Sequence, residues 1–222
     1  MLLAIDTSTQ WMGIAIYNGD EILGELAWKT KNHHTVELAP SVASMMERCG
    51  ITPKELTCLA VALGPGSFTS LRIGMAYIKG LALALRLPVV GIPTLEILAN
   101  AQAPDSRPLI ACLQAGRERI ACQKFSWQKK KWSAEGEPLL AYTADIMHQI
   151  TEPTIVCGEL TTANRSVLKE KGSLVEVRPP SGSLRRPAYL AEMAWKRWAM
   201  DDVDDPATIA PIYLHVGALI PD

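Results

Sequence analysis

Apolar and polar residues near the start of the chain follow a pattern that predicts three strands. An apolar run from Met1 to Asp6 ends in an acid, a second covers Met12 to Tyr17, and a third covers roughly Glu21 to Trp28. Asn18-Gly19-Asp20 lies between the second and third runs, and Asn-Gly is the strongest short-range hairpin signal. We therefore expect an antiparallel meander at the N-terminus.

The pattern then changes to helical spacing, with apolar residues three or four positions apart. Gly50 stands where a helix C-cap glycine belongs, and Pro40 falls near the first turn of the same helix. In chain order we predict a helix from His34 to Cys49, a strand from Leu59 to Leu63, a helix from about Thr69 to Leu87, a strand from Val89 to Ile92, and a helix from Thr94 to Ala101, with Thr94 as N-cap. These elements and the meander together predict an α/β lobe with a mixed sheet.

The polar segment from Ala103 to Pro108 predicts a boundary between two lobes. We assign residues 1–102 to an N-terminal lobe and residues 103–222 to a smaller second lobe, whose C-terminal helix and tail pack back on the body. The elements expected there are strands at Leu109 to Leu113, Arg119 to Trp127 and Thr154 to Cys157, helices at Thr143 to Ile150 and Pro187 to Met200, and a tail from Ile209 to Ile220.

Composition and charge indicate a soluble globular protein. Apolar residues make up 48% of the chain, charged residues make up 20%, and the net charge is −1, so no global field attracts nucleic acid or a membrane. Asp6 interrupts the apolar N-terminal run, which leaves no signal-peptide core, and Arg86 and Pro88 break the later apolar stretch from Leu81 to Ile92. Five scattered cysteines with no CxxC pair are typical of buried, reduced thiols. We expect a cytoplasmic protein.

The turn Asp6-Thr7-Ser8-Thr9 is the first candidate site. An acid followed by small hydroxyl residues offers backbone N–H groups and hydroxyls to a phosphate, and a carboxylate to a metal-bound water. The same residues also form Asx and Ser/Thr turns that satisfy their own backbone. The residues alone leave both interpretations open and favour the turn.

A glycine loop from Gly64 to Gly74 is the second candidate, because a loop before a helix exposes N–H groups to an anion. It is not a Walker loop, since no Lys-Ser/Thr pair follows the glycines, and Ser67 is not in a G-x-S-x-G elbow. The helix after the loop carries Gly74, Ala76 and Gly80, which would let a neighbouring helix approach closely. We therefore favour packing and an interface over catalysis here.

The histidines give no sign of a metal enzyme. A helical metal pair needs two His at positions i and i+4. His33 and His34 are adjacent, whereas His148 and His215 stand alone. We predict no metal site and no catalytic residue.

Trp127-Gln128-Lys129-Lys130-Lys131-Trp132 is a basic segment with flanking aromatic residues. Such a segment could contact an RNA backbone and stack on bases. A solvated hairpin turn explains it as well, and the near-neutral net charge favours that simpler interpretation.

Three blocks of the sequence resemble the TsaB (YeaZ) family in content and spacing. They are Ile5-Asp6-Thr7-Ser8-Thr9, His34 to Pro40, and the loop and helix from Gly64 to Ala82. Pro206 to Leu214 resembles the family's C-terminal segment. The resemblance implies a reduced two-lobed fold of the actin, sugar-kinase and heat-shock-chaperone (ASKHA) type, which has a ribonuclease H-like topology.

The resemblance also implies a role. The family's members are paralogues of TsaD, which transfers threonylcarbamoyl to adenosine 37 of ANN-decoding tRNAs and carries an H-x-x-x-H metal motif. Thr94 and Leu98 stand at the corresponding positions here. We expect a non-catalytic partner of a TsaD-like subunit, with a TsaE-like ATPase as third member and tRNA met only through the complex. Alone, the chain could form a homodimer. No cofactor is expected, and nucleotide only in the complex.

The two N-terminal-lobe helices form the partner interface in this interpretation, and the turn at Asp6 is a vestigial phosphate site. The predicted interface residues are Leu38, Val42, Met45, Met46, Ile73, Ala76, Tyr77 and Gly80. Two alternatives remain. One is an active ATP-dependent phosphotransferase using Asp6 and the turn Thr7–Thr9, which titration with ATP–Mg²⁺ would reveal. The other is a glycoprotease-type metallopeptidase, which stoichiometric metal would indicate.

Overall fold

The computed structural model describes residues 1–31, 33–116 and 118–214, and the chain forms two compact units. Within the described residues, the first unit comprises Met1–Ile97 and Arg185–Ile212, and the second comprises Leu98–Leu184 and residues 213–214. The strands are β1 Leu2–Asp6, β2 Trp11–Tyr17, β3 Ile22–Lys29, β4 Cys58–Ala62, β5 Val89–Ile92, β6 Leu109–Gln114, β7 Arg119–Gln128, β8 Lys131–Tyr142, β9 Thr154–Gly158 and β10 Val175–Val177. The helices are α1 His34–Arg48, α2 Phe68–Leu85, α3 Thr94–Asn100, α4 Thr143–Gln149, α5 Thr162–Lys169 and α6 Pro187–Trp198.

The sheet of the first unit has the strand order β3-β2-β1-β4-β5. Strands β1, β2 and β3 form the predicted antiparallel meander, and β4 and β5 run parallel to β1. The predicted turn at Asn18 is confirmed, because its side-chain oxygen accepts hydrogen bonds from the backbone N–H groups of Asp20 and Glu21. The mixed sheet expected from the sequence is therefore present.

Alternation along β1 separates two hydrophobic clusters. Leu3 and Ile5 lie in a cluster with the buried residues of α1 and α2, whereas Leu2 and Ala4 lie in a cluster with Leu190 and its neighbours on α6. Every residue of β1 and of β4 is buried, because helices cover both faces of the sheet.

The position of α6 differs from the expected division of the chain. We expected the first lobe to end at residue 102 and α6 to belong to the second lobe, whereas α6 packs on the first sheet. The reason is its apolar stripe, in which Leu190, Ala191 and Ala194 are fully buried against the small side chains of that face, such as Ala4. Order along the chain does not reveal which sheet a late helix covers.

The second unit repeats the topology of the first in a smaller form. Its sheet has the order β10-β9-β6-β7-β8, again an antiparallel meander followed by two parallel strands. Its helices α4 and α5 are only 7 and 8 residues long, so its reduction lies in the helices. The sequence pattern did not predict α5, β8 or β10, because α5 is short and polar and β10 has only three residues.

Smaller differences concern the ends of elements. Pro40 lies in the second turn of α1, because α1 begins at His34. Thr94 is the first residue of α3 and not its N-cap. Of the expected C-terminal tail, Ile209 is buried in the first core and the N–H of Ile212 donates to the carbonyl of Leu63. Residues 215–220, which include His215, lie outside the described residues.

Candidate functional site

A buried ion pair holds the turn between β1 and β2. One carboxylate oxygen of Asp6 accepts from the Ser8 N–H at 2.8 Å, and the other accepts from Nε of Arg185 at 2.8 Å. The guanidinium of Arg185 also donates to Oγ1 of Thr9 at 3.1 Å. The side chains of Asp6 and Arg185 are only 4% and 1% exposed, so this pair is removed from water.

The same turn packs tightly against the glycine loop and α2. The Ser67 N–H donates to the Ser8 carbonyl at 2.7 Å, and the Thr7 hydroxyl donates to the Ser70 carbonyl at 2.7 Å. A Cβ atom at Gly66 would lie 2.1 Å from the Ser8 carbonyl oxygen, and one at Gly74 would lie 2.3 Å from Oγ1 of Thr7. These glycines therefore allow the turn and α2 to approach closely.

Thr94 and His34 close the remaining sides of the turn. The hydroxyls of Ser8 and Thr94 lie 2.8 Å apart, and Thr94 also accepts from the Gly64 N–H at 2.9 Å. Nε2 of His34 lies 2.8 Å from the Thr9 carbonyl oxygen, and both residues are buried. The four residues predicted to bind phosphate thus direct these polar groups to partners within the protein. Phosphate binding there remains a prediction.

Arg185 is the partner of this turn that sequence reasoning missed. It lies 179 positions after Asp6, at the end of a loop rich in proline, serine and glycine. The sequence shows two adjacent arginines at this point, and nothing in the spacing indicates which of them is buried. The structure buries Arg185, whereas Arg186 pairs with Glu25 nearer the surface.

Four of the eight predicted interface residues are buried in the core of their own unit. Leu38, Val42, Met45 and Met46 form the stripe of α1 that packs on the first sheet. The apolar spacing that predicted the helix thus also defines its inward face. Contact of these four residues with a partner stays a prediction. Ile73 and Tyr77 are half-buried, and Ala76 and Gly80 are exposed.

Beyond the exposed Arg72 in its first half, the outward face of α2 carries apolar and small residues. Ala76 and Gly80 are exposed there, Leu83 is 83% exposed, and a Cβ atom at Gly80 would meet nothing within 4 Å. Gly74, which we grouped with them, instead faces Thr7 inside the unit. By length and composition α2 also satisfies the criteria for a membrane span, although its opposite face is packed on the sheet. On α1, Val36, Ala39, Pro40 and Ala43 are exposed as well.

The candidate metal ligands do not come together in the part of the chain that the structure describes. No group of three or more His, Cys, Asp or Glu side chains there could hold a metal ion. His33 is exposed with Nδ1 at 3.7 Å from Glu37, and Leu98 is fully buried.

Among the five thiols, four are buried and Cys49 is half-buried, and none of them forms a disulfide. Burial raises the pKa of Cys58, Cys122 and Cys157 to about 12, and it raises the pKa of Cys112 well above its ordinary value. The thiolate is the reactive form of cysteine, so these four side chains are chemically inert in the folded protein.

The repeated five-stranded sheets define the class of protein, a two-unit α/β fold of the actin-like type. The (R)-2-hydroxyglutaryl-CoA dehydratase component A from Acidaminococcus fermentans has a similar fold, with a TM-score of 0.51 at 11% identity over 89% of this chain and 98% of that one. YeaZ from Pseudomonas aeruginosa is more similar, with a TM-score of 0.76 at 21% identity over 95% of this chain and 99% of that one.

Sequence comparisons identify the family. The TsaD family model, described as tRNA N6-adenosine threonylcarbamoyltransferase, matches residues 21–166. The tRNA threonylcarbamoyladenosine biosynthesis protein TsaB of Bacillus subtilis is 40% identical over 90% of this chain and 89% of its own length. The Haemophilus influenzae protein of the same name is 27% identical over 96% of this chain and 93% of its own. The chain belongs to the TsaB (YeaZ) family.

Proposed function

We propose that this chain is a non-catalytic subunit in the biosynthesis of tRNA threonylcarbamoyladenosine. It pairs with a TsaD-like catalytic subunit and supports modification of adenosine 37 in ANN-decoding tRNAs, with a TsaE-like ATPase as a third member. The chain acts in the cytoplasm and meets tRNA through the complex. The names of its relatives and the match to the TsaD family model support this pathway.

One observation carries the proposed partner role, namely the exposed small-residue face of α2. Ala76 and Gly80 leave little side-chain bulk on this face, Leu83 adds an exposed apolar side chain, and none of the three is charged. Small residues let a second helix approach closely, and burial of apolar surface supplies most of the free energy of association. The surface that we assign to the partner is therefore centred on Ala76 and Gly80, and includes Val36 and Ala43 of α1.

The closed turn at Asp6 supports a subunit without chemistry of its own. Its carboxylate is paired with Arg185, and the hydroxyl of Thr94, at one of the positions where TsaD carries histidine, bonds to Ser8 and Gly64. We propose that the chain carries no metal or nucleotide of its own, and that any nucleotide binds only in the complex. The phosphotransferase alternative would require the buried Asp6–Arg185 pair to open.

Gly80→Arg tests the interface without disturbing the fold. The added side chain meets no neighbouring atom, and arginine has a higher helix propensity than glycine, so the variant should be at least as stable as the wild type. Co-purification with the TsaD-like subunit should be lost, together with threonylcarbamoylation of an ANN-decoding tRNA in the reconstituted system. The matched control is Met200→Arg, which adds the same charge at another exposed position of the first unit.

The outcomes separate the parts of the proposal. Unchanged co-purification of Gly80→Arg would reject the α2 interface. Full tRNA modification by the TsaD-like and TsaE-like subunits without this chain would reject the function. Light scattering of the free chain shows whether the same face forms a homodimer, which Gly80→Arg should convert to a monomer.

A further inference from the structure

The tip of the β7–β8 hairpin is basic, and its lysine side chains are not packed in a hydrophobic core. Its two-residue loop is Lys129-Lys130, and Lys131 begins β8. All three lysines are exposed, and within the described residues none of them has an ion-pair or side-chain hydrogen-bond partner. Lys124 at the base of the same hairpin differs, since it lies 3.6 Å from Glu135 and 3.4 Å from Glu152.

The backbone at the tip is held in an unfavourable conformation. Lys129 and Lys130 have φ angles of 50° and 62°, in the left-handed region that a two-residue hairpin loop of type I′ requires at both positions. Asn-Gly fills such a loop with the least steric cost, and a side chain with Cβ is disfavoured there. The hairpin would therefore be more stable with Asn and Gly than with lysine at these two positions. We interpret the presence of lysine there as a sign that its charge has a function other than forming the turn.

The hairpin presents these lysines beyond the body of the sheet. β6 begins at Leu109, opposite Phe125, so the strand residues after Phe125 are paired only within the hairpin. Trp132 anchors this ribbon, because it is buried and its indole N–H donates to the Gln102 carbonyl at 3.2 Å. Trp127 packs edge-on against Trp132, with 5.6 Å between the two ring centroids, and it is half-exposed. The tip is thus a supported projection.

The face opposite the tryptophans is rich in hydrogen-bonding groups. Strand alternation places Ser126, Gln128, Lys131 and Ser133 on this face, in the directly opposed pairs Gln128↔Lys131 and Ser126↔Ser133. Lysine, serine and glutamine side chains are the usual contacts to phosphate and sugar oxygens of nucleic acid.

We propose that this tip contacts the phosphate backbone of RNA, specifically the tRNA bound by the complex. The inference rests on the proposed function for the identity of the RNA. Three ammonium groups would neutralise up to three phosphates, so the contact adds affinity and strengthens the salt dependence without reading sequence.

Replacement of Lys129, Lys130 and Lys131 by Gln tests the contact in the assembled complex. The dissociation constant for an ANN-decoding tRNA should rise about 10- to 100-fold at 0.1 M salt. The slope of the logarithm of the association constant against the logarithm of the salt concentration is negative, and its magnitude should decrease by about 2. The control replaces the exposed lysines Lys54, Lys169 and Lys196 by Gln, with the same change in net charge. Equal affinity and slope in the hairpin variant and the wild type, or equal losses in the control, would overturn the proposal.

A second variant separates charge from folding. Lys129→Asn with Lys130→Gly installs the preferred loop sequence, so the melting temperature should rise by about 4 °C while tRNA affinity still falls several-fold. A more stable variant that binds tRNA like the wild type would show that the lysines are only a turn. Loss of binding to phosphatidylserine vesicles with unchanged RNA affinity would assign the tip to a membrane and also overturn the proposal.

The hairpin and the proposed function fail separately. If the TsaD-like subunit does not assemble with this chain, the proposed function fails, and tRNA binding by the full-length chain alone at low salt then decides the role of the tip. If the complex assembles and modifies tRNA while the triple variant keeps the wild-type affinity, only the hairpin inference fails.

Discussion

The ion pair between Asp6 and Arg185 ties the first strand of the chain to the segment that leads into α6. Both side chains are almost fully removed from water, and Asp6 is also bonded to the N–H of Ser8. Removing one member of such a pair leaves the other buried without its counter-charge, which costs far more than the pair itself contributes. The local effect of either residue is therefore large and structural.

Arg185→Ala should lower the free energy of unfolding by about 3–5 kcal/mol, because Asp6 would remain buried without its partner. Arg186→Ala is the matched control at the next position. Its side chain is 54% exposed and pairs with Glu25, so its loss should cost about 1 kcal/mol or less. Urea denaturation of both variants measures the difference. Equal costs would show that burial of the Asp6 pair has no energetic consequence.

The buried thiols predict a loss of stability at alkaline pH. Cys58, Cys122 and Cys157 keep their protons in the folded protein up to a pKa of about 12, whereas the unfolded chain loses them near pH 9. The folded state therefore binds more protons between these two values, and stability falls as pH rises through that window. At pH 10 each thiol should contribute a loss of about 1.4 kcal/mol.

Chemical denaturation at pH 8 and pH 10 tests this alkaline effect. Cys122→Val removes one titrating group and keeps an apolar side chain of similar size, so the variant should lose about 1.4 kcal/mol less than the wild type between the two pH values. Cys49→Val is the control, because Cys49 is only half-buried. If Cys122→Val and the wild type lost the same stability, the thiol would not be the cause.

At this scale the sequence identified some contacts and not others. The turn Asp6–Thr9 was expected to form and does so, since hydroxyl and carboxylate side chains bond to nearby backbone. The partners Arg185 and Thr94 could not be predicted, because Arg185 is 179 positions from Asp6 and Thr94 is 86 positions from Ser8. Contacts between residues so far apart in the chain depend on the tertiary structure. Local pattern carries information on local hydrogen bonds only.

The two interior glycines of helix α2 lie on different faces of the helix. Gly74 lies against Thr7 inside the unit, whereas Gly80 lies on the open face. From the sequence we grouped the two glycines as one small-residue strip, because both occur in the same helix. Six positions apart, however, they point to different sides of that helix. Only the position of the sheet decides which glycine is a packing requirement and which leaves an open surface.

Alanine substitution at the two glycines should therefore have opposite effects. Gly80→Ala should stabilise the protein by about 0.5–1 kcal/mol, since alanine has the higher helix propensity and meets no neighbour. Gly74→Ala should destabilise it by about 1–3 kcal/mol, because the new Cβ would lie 2.3 Å from Oγ1 of Thr7. Urea denaturation of both variants gives the comparison, and the same sign at both positions would contradict the assignment of faces.

The helical stripe of α1 shows a similar division between what pattern can and cannot predict. Leu38 and Val42 recur at helical spacing, and this correctly predicted the helix. The same residues were also placed at a partner surface, although an apolar stripe on a helix of this length serves first to cover its own sheet. The interface that we propose instead uses residues on the exposed face of α1, such as Val36 and Ala43.

At the scale of the whole molecule, the chain leaves the first unit after Ile97 and returns to it at Arg185. The order of elements predicted two α/β lobes correctly in kind, since each half supplies a meander and two parallel strands. It predicted that the C-terminal helix packs back on the body, but it assigned that helix to the second lobe, because the apolar stripe of α6 would suit either sheet. The small residues Ala4, Ala15 and Ala60 on one face of the first sheet accommodate this helix.

The effect of core substitutions on hydrogen exchange distinguishes the assignment of α6 to the first unit from its assignment to the second. Leu190 is fully buried on α6, and Leu168 is fully buried on α5 in the second unit, so the substitution of each by Ala should cost about 2–5 kcal/mol. Local opening lowers protection from hydrogen exchange within the affected cooperative unit. With Leu190→Ala, the amides of β1 and β4 should exchange faster while those of β6 and β9 keep their protection. Leu168→Ala should give the reverse pattern. Faster exchange of β6 and β9 in Leu190→Ala, with β1 and β4 unchanged, would return α6 to the second unit, as the order of the chain alone predicted.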